Sequence, residues 1–103
     1  MAIVKYTKPA LEDLKNIHDY IVNDSAVNAK RFIQAIKDRI AILNKYPEIG
    51  NQIFPTRYNN LRQLLHKAYR IIYYYENDVV TIITIHHQSR LIENKKVVKD
   101  FTK

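Results

Sequence analysis

Arg62, Arg70 and Arg90, together with the adjacent pair His86 and His87, are the side chains best equipped for chemistry in this 103-residue sequence. A guanidinium binds phosphate oxygens bidentately and stabilises developing negative charge. An imidazole titrates near pH 6.5 and so can move a proton at neutral pH. Combined with a tyrosine that stacks on or orients a base, these groups could cleave a phosphodiester. Arg70, Arg62, His86 and Arg90 are therefore the candidate catalytic set of a nuclease. Other chemistries are excluded. With no cysteine there is no thiol nucleophile, disulfide or thiolate metal site. No serine-histidine-acid arrangement, glycine-rich phosphate loop or paired-carboxylate motif is present. Neighbours on a strand face opposite sides, so His86 and His87 cannot readily chelate one ion, and no cluster of further ligands accompanies them. Neither a metal nor a cofactor is expected.

The alternative to catalysis is binding. Formal charge is +7, from 17 Lys and Arg against 10 Asp and Glu. Across residues 51–75 the charged side chains are Arg57, Arg62, Lys67 and Arg70, with His66 among them and no carboxylate. A one-signed segment suits an anionic partner, either nucleic acid or an acidic protein segment; a solvated basic face is the simpler reading. Arg57, Arg62, Lys67, Arg70 and Tyr74 are the candidate partner-binding residues. Arg70 shares a strand face with Ile72 and Tyr74, while Ile71, Tyr73 and Tyr75 point the other way. A buried arginine must be paired. Arg70 is thus either a structural group held by Glu76 or by backbone carbonyls, or an exposed cation able to grip phosphate or an acidic partner.

The elements that position these residues follow from hydrophobic spacing. Residues 69–76 and 79–86 are β-rich runs joined by Asn77-Asp78, the signature of an antiparallel hairpin. Residues 61–65 supply a preceding strand, and residues 2–6 a short opening one. Thr7 and Pro9 suit a helix cap and first turn, after which Leu11, Leu14, Ile17 and Ile21 form one apolar stripe. After the cap formers Asn23, Asp24 and Ser25, the residues Ala29, Phe32, Ile33, Ile36, Ile40 and Leu43 repeat the helical period up to Tyr46-Pro47. So short a connection makes the helices antiparallel neighbours. Gly50, the sole glycine, marks a helix stop where a left-handed backbone is sterically free. The expected fold is α+β: a strand, a two-helix antiparallel hairpin, then a three-stranded antiparallel meander packed on it. Leu91, Val98 and Phe101 allow a short C-terminal helix.

Adjacent apolar pairs (Ile71-Ile72, Val79-Val80, Ile82-Ile83) put apolar groups on both sheet faces, whereas the hairpin covers one. The other face requires the C-terminal tail, a partner or a second copy. The length suits one domain, residues 1–103. The N-terminal apolar run is too short for a signal peptide, and no segment approaches the roughly 18 apolar residues of a membrane span, so a cytoplasmic location away from membranes is expected.

Taken together, the sequence resembles the RelE/ParE superfamily of toxins from type II toxin-antitoxin modules, and more closely its ParE-like, plasmid-stabilisation branch. The features that carry this are Ala10-Leu11-Glu12-Asp13-Leu14 with Ile17 and Tyr20-Ile21, then Ala29, Phe32, Ile36 and Leu43. Pro47 and Gly50 follow at Pro-x-x-Gly spacing, then Tyr69-Arg70-Ile71-Ile72-Tyr73, and Ile85-His86 with Arg90 beyond. The resemblance implies an antiparallel sheet on a helical hairpin, growth inhibition, and a cognate antitoxin whose disordered segment folds across the toxin. It implies one of two targets, DNA gyrase for the ParE-like branch or ribosome-bound mRNA for RelE-like endoribonucleases. RelE-like nucleases carry lysines on the strand before the Tyr-Arg strand and basic and tyrosine groups after the last one. Here residues 61–65 hold Arg62 and no lysine, and no tyrosine follows Tyr75, which favours the gyrase branch.

Overall fold

The computed structural model describes residues 1–53 and 60–88. Strand β1 (Ile3–Tyr6) leads into helix α1 (Lys8–Val22), helix α2 (Ala26–Ala41) and a 3-10 turn (Ile42–Asn44). Strands β2 (Asn51–Gln52), β3 (Leu61–His66), β4 (Tyr69–Glu76) and β5 (Val79–His87) follow. The meander expected from the sequence is present, and two strands extend it into a five-stranded sheet of order β1-β5-β4-β3-β2. β1 lies parallel to β5, and every other pairing is antiparallel. The expected C-terminal helix falls outside the described residues.

Both helices begin at the caps their sequences advertise. Thr7 Oγ1 accepts from Ala10 N–H at 3.2 Å, and Ser25 Oγ from Asn28 N–H at 3.2 Å. Each satisfies an amide that the first helical turn leaves without a backbone partner. The buried stripes run Ala10, Leu14, Ile17 on α1 and Ala29, Ile36, Ile40 on α2. Each opens on a fully buried alanine, which lets a helix approach its neighbour closely. Leu11, expected in the first stripe, is 53% exposed, because the steps from Ala10 to Leu14 and Ile17 follow the buried face more directly than those from Leu11. α2 stops at Ala41, before the expected proline boundary, and Leu43 is buried from the 3-10 turn instead.

The main core lies between the helical hairpin and one sheet face, where Leu64, Ile71, Tyr73, Val80, Ile82 and Ile85 meet Leu14, Ile17, Ile36 and Ile40. Register shifts in the β4–β5 pair: Ile72 faces Thr84 but Tyr73 faces Ile82, leaving Ile83 as the extra residue of a β-bulge. One added residue reverses the side-chain alternation. It explains how Val80, Ile82 and Ile85 all face the helices while Ile83 points away. On that far face Leu61, Ile72 and Ile83 form a second buried cluster, with Ile53 and Tyr74 packed against it. Its centre is therefore buried in the single chain, so of the covers expected for this face neither a partner nor a second copy is needed there.

α1 is fastened to β5 where β1 ends. Thr7 Oγ1 lies 2.8 Å from the Ile82 carbonyl and 3.1 Å from that of Ile83, at the bulge. Nearly two turns later the Asp13 carboxylate accepts from Ile85 N–H at 2.9 Å and from the Thr84 hydroxyl. Asp13 thus takes the place of a strand partner along the stretch of β5 that β1 does not reach.

Candidate functional site

On β4, Arg70 sits opposite Leu65 of β3 and His86 of β5. It is half-buried; its Nη1 donates to Gln63 Oε1 at 3.2 Å, while its Nε is buried without a hydrogen-bond partner. Glu76, one expected counter-charge, instead accepts from the Tyr74 hydroxyl at 2.8 Å, so among the described residues a neutral amide, not a carboxylate, holds Arg70. His86 is only 3% exposed. Since paired residues share a face, Arg70, His86 and Tyr74 all lie on the side away from the helices. Lys67, in the turn between β3 and β4, is exposed and has a positive φ of 53°.

Arg62 belongs elsewhere. It pairs with Tyr73, which lies in the helix-side core. Its Nη1 donates to the Gly50 carbonyl at 2.8 Å and to the Glu48 carbonyl at 3.1 Å, and its Nη2 is 3.6 Å from Glu48 Oε2. The structure therefore separates Arg62 from Arg70 and His86, which it does bring together. Arg57 and Arg90 lie outside the described residues. Among the described residues, no group of three or more His, Asp or Glu side chains is arranged to hold a metal.

The residues that sequence reasoning missed are those that close the Pro47–Gly50 segment over the sheet. Tyr73, fully buried, donates its hydroxyl to the Pro47 carbonyl at 2.7 Å and accepts from Gly50 N–H at 2.9 Å. Burial pushes the Tyr73 hydroxyl above its ordinary pKa, so it stays a donor. Gly50 is not left-handed, as no glycine has a positive φ; it is glycine because a Cβ there would stand 2.6 Å from both the Gln63 carbonyl oxygen and Tyr73 Oη. Its Pro-x-x-Gly spacing was visible in the sequence, but the reason lay 23 residues away, across the fold.

At the other end of the sheet an aromatic cluster joins α2 to the strands. Phe32 lies 5.8 Å from the His66 ring and 5.6 Å from that of Tyr69, and Tyr69 lies 5.5 Å from His87. The Nε2 atom of His66 is buried without a hydrogen bond. That burial, reinforced by the Lys67 and Arg39 charges, lowers its pKa below the usual histidine value. His86 and His87 also border a groove of about 210 Å³ against α1, beside Asn16 and Tyr20.

This chain, a helical hairpin packed on one face of a five-stranded sheet, is a member of the RelE/ParE superfamily of type II toxins, as its relatives show. Residues 4–92 match the ParE toxin of the type II toxin-antitoxin system parDE, and the chain belongs to this family. It is 38% identical over 92 residues to Toxin RelE2 of Caulobacter vibrioides, covering 88% of this chain and all of that protein. Two solved structures share the fold. One is a chromosomal ParDE system from P. aeruginosa, with TM-score 0.70, 23% identity, and coverage of 84% of this chain and 96% of that one. The other is the toxin-antitoxin complex RelBE2 from Mycobacterium tuberculosis, with TM-score 0.64, 18% identity and the same coverage of 84% and 96%.

Proposed function

We propose that this toxin arrests growth in the cytoplasm by acting on DNA gyrase, and that a cognate antitoxin relieves the arrest. The observation that carries this reading is the fate of Arg62. Its guanidinium is committed to the Gly50 and Glu48 carbonyls on the face opposite Arg70, so the cations a phosphodiester cleavage would need do not converge among the described residues. The match to the ParE family supports the same target. Arg70 and Lys67 then serve to bind rather than to cleave. Purified protein should inhibit gyrase supercoiling or trap gyrase cleavage complexes. Unchanged gyrase activity alongside arrested translation would defeat the proposal.

A ribosome-dependent endoribonuclease is the second reading. It is favoured by the relative named RelE2 and by the juxtaposition of Arg70 with His86. It calls for codon-linked cleavage in transcripts from induced cells, read by primer extension and abolished by Arg70→Ala. Intact transcripts in arrested cells would count against it.

A further inference from the structure

We propose that the outer edge of β1 is a docking strand for an extended, acidic segment of the antitoxin, an inference that rests on the reading of this chain as an antitoxin-neutralised toxin. In the parallel ladder, Ile3 N–H donates to the Asp78 carbonyl and Thr7 N–H to the Ile82 carbonyl. The odd-numbered residues of β1 therefore bond to β5, and the even-numbered ones present their N–H and C=O outward. The first outward residue, Ala2, is satisfied on both groups by Asn44, whose backbone carbonyl accepts and whose side-chain amide donates. The next two, Val4 and Tyr6, have no backbone partner among the described residues. The outward positions that β5 and β3 leave beyond their partner strands are occupied by contrast. Asp13 takes the Ile85 amide, Arg39 Nε donates to the Leu65 carbonyl at 3.2 Å, and β2 covers Arg62 and Gln63. An unpaired strand edge is a template for another strand.

Charge decides which strand. The antiparallel pairing that uses all four outward groups of Val4 and Tyr6 makes Lys5 the close, non-hydrogen-bonded position. In a two-fold pairing of β1 with a second copy, Lys5 would stand directly opposite the other copy's Lys5, which is destabilising. A carboxylate opposite Lys5 is stabilising instead. Lys8 follows the strand and Lys45 follows Asn44, both exposed, in a chain of formal charge +7. In the turn that precedes the paired strand, the Asp78 carboxylate accepts from the Tyr75 hydroxyl at 3.3 Å. Ile3, 58% exposed and on the same face as Lys5, adds an apolar contact. The fitting segment is extended, with Asp or Glu opposite Lys5 and an apolar residue two positions further on, opposite Ile3.

Proline distinguishes the outward row from the inward one, because it deletes a single N–H and is tolerated where that group faces outward on an edge. The probe is the protein from the adjoining reading frame that restores growth on co-expression. Val4→Pro should keep the fold by circular dichroism, and Lys5→Glu should leave it unchanged; each should weaken binding of that protein by about tenfold or more. Lys5→Pro, which removes an inward amide, should lower Tm. Amide exchange at Val4 and Tyr6 should slow on binding in the wild type. Wild-type affinity in both Val4→Pro and Lys5→Glu, or unchanged exchange at both amides, overturns the proposal. So does self-association of the free chain that Val4→Pro abolishes, which would assign the edge to a second copy. Failure of any neighbouring protein to restore growth removes the antitoxin reading itself, and this inference with it.

Discussion

Gly50→Ala is expected to destabilise the fold by about 2–4 kcal/mol, although it adds one methyl group at a position with no left-handed strain. The new Cβ would meet the Gln63 carbonyl oxygen at 2.6 Å, Tyr73 Oη at 2.6 Å and Tyr73 Cε1 at 2.7 Å. None of these neighbours yields cheaply. Gln63 is held between β2 and β4, and Tyr73 is fully buried. Overpacking of this kind costs about 1–3 kcal/mol. Displacing the tyrosine also breaks its bonds to Gly50 N–H and the Pro47 carbonyl, and orphaned buried groups cost roughly 1–3 kcal/mol. Against this, alanine restricts the unfolded chain, a gain of about 0.4–1 kcal/mol. At this chain length the net loss corresponds to a fall in Tm of roughly 8–20 °C. Urea denaturation of Gly50→Ala, Tyr73→Phe and the double variant provides the assay. The double variant should lose about 1 kcal/mol less than the two single losses combined, because Tyr73→Phe removes one of the clashing atoms. A Gly50→Ala protein within about 0.5 kcal/mol of wild type would refute close approach as the reason for glycine, since that margin is the ordinary scatter of harmless substitutions.

Asp13→Ala should cost about 1.5–3 kcal/mol by leaving the Ile85 amide and the Thr84 hydroxyl without their carboxylate; chemical denaturation measures it, and a loss under 0.5 kcal/mol would show that water substitutes for the carboxylate. Lys67→Gly should stabilise by roughly 0.5–1 kcal/mol, because a φ of 53° strains a lysine and not a glycine, while removing a cation from the binding end; equal or lower Tm would contradict this. The pKa of His66 is lowered in the folded state, chiefly by burial. Its neutral form therefore favours folding: stability is full above pH 6.5 and falls as pH drops from there through the folded pKa. Tm measured between pH 7.5 and 5 should decline less steeply in His66→Gln than in wild type, and parallel curves would exclude His66 as the cause.

What the sequence disclosed was whatever local spacing encodes. Thr7 and Ser25 cap as read, the adjacent turn residues Asn77 and Asp78 both have positive φ (53° and 61°), and Arg70 shares its face with Ile72 and Tyr74. Relations across the fold were silent. Asp13 looks like a solvated helix residue until β5 is seen to continue past the end of β1. The Ile82-Ile83 pair reads as two wet or two buried faces until the bulge shows one residue switching sides. Gln63 gives no sign that it, and not Glu76, meets Arg70.

The same distinction governs the charge. Lysine and arginine counted along residues 51–75 suggest one cationic surface, yet a guanidinium counts toward a partner only if its donors are uncommitted. Arg62 spends its donors on two carbonyls and Arg39 reaches a third, each mending a place where the chain leaves a backbone oxygen unpaired. These arginines act as strand and loop ties, and their loss should be felt in stability before it is felt in binding. Among the described residues, Arg70 differs in having a buried Nε with no hydrogen bond and a single neutral partner. A half-buried charge left so is costly unless something beyond the described residues completes it, so the residue that fits the described fold least well is the one to test first for recognition of a partner or target.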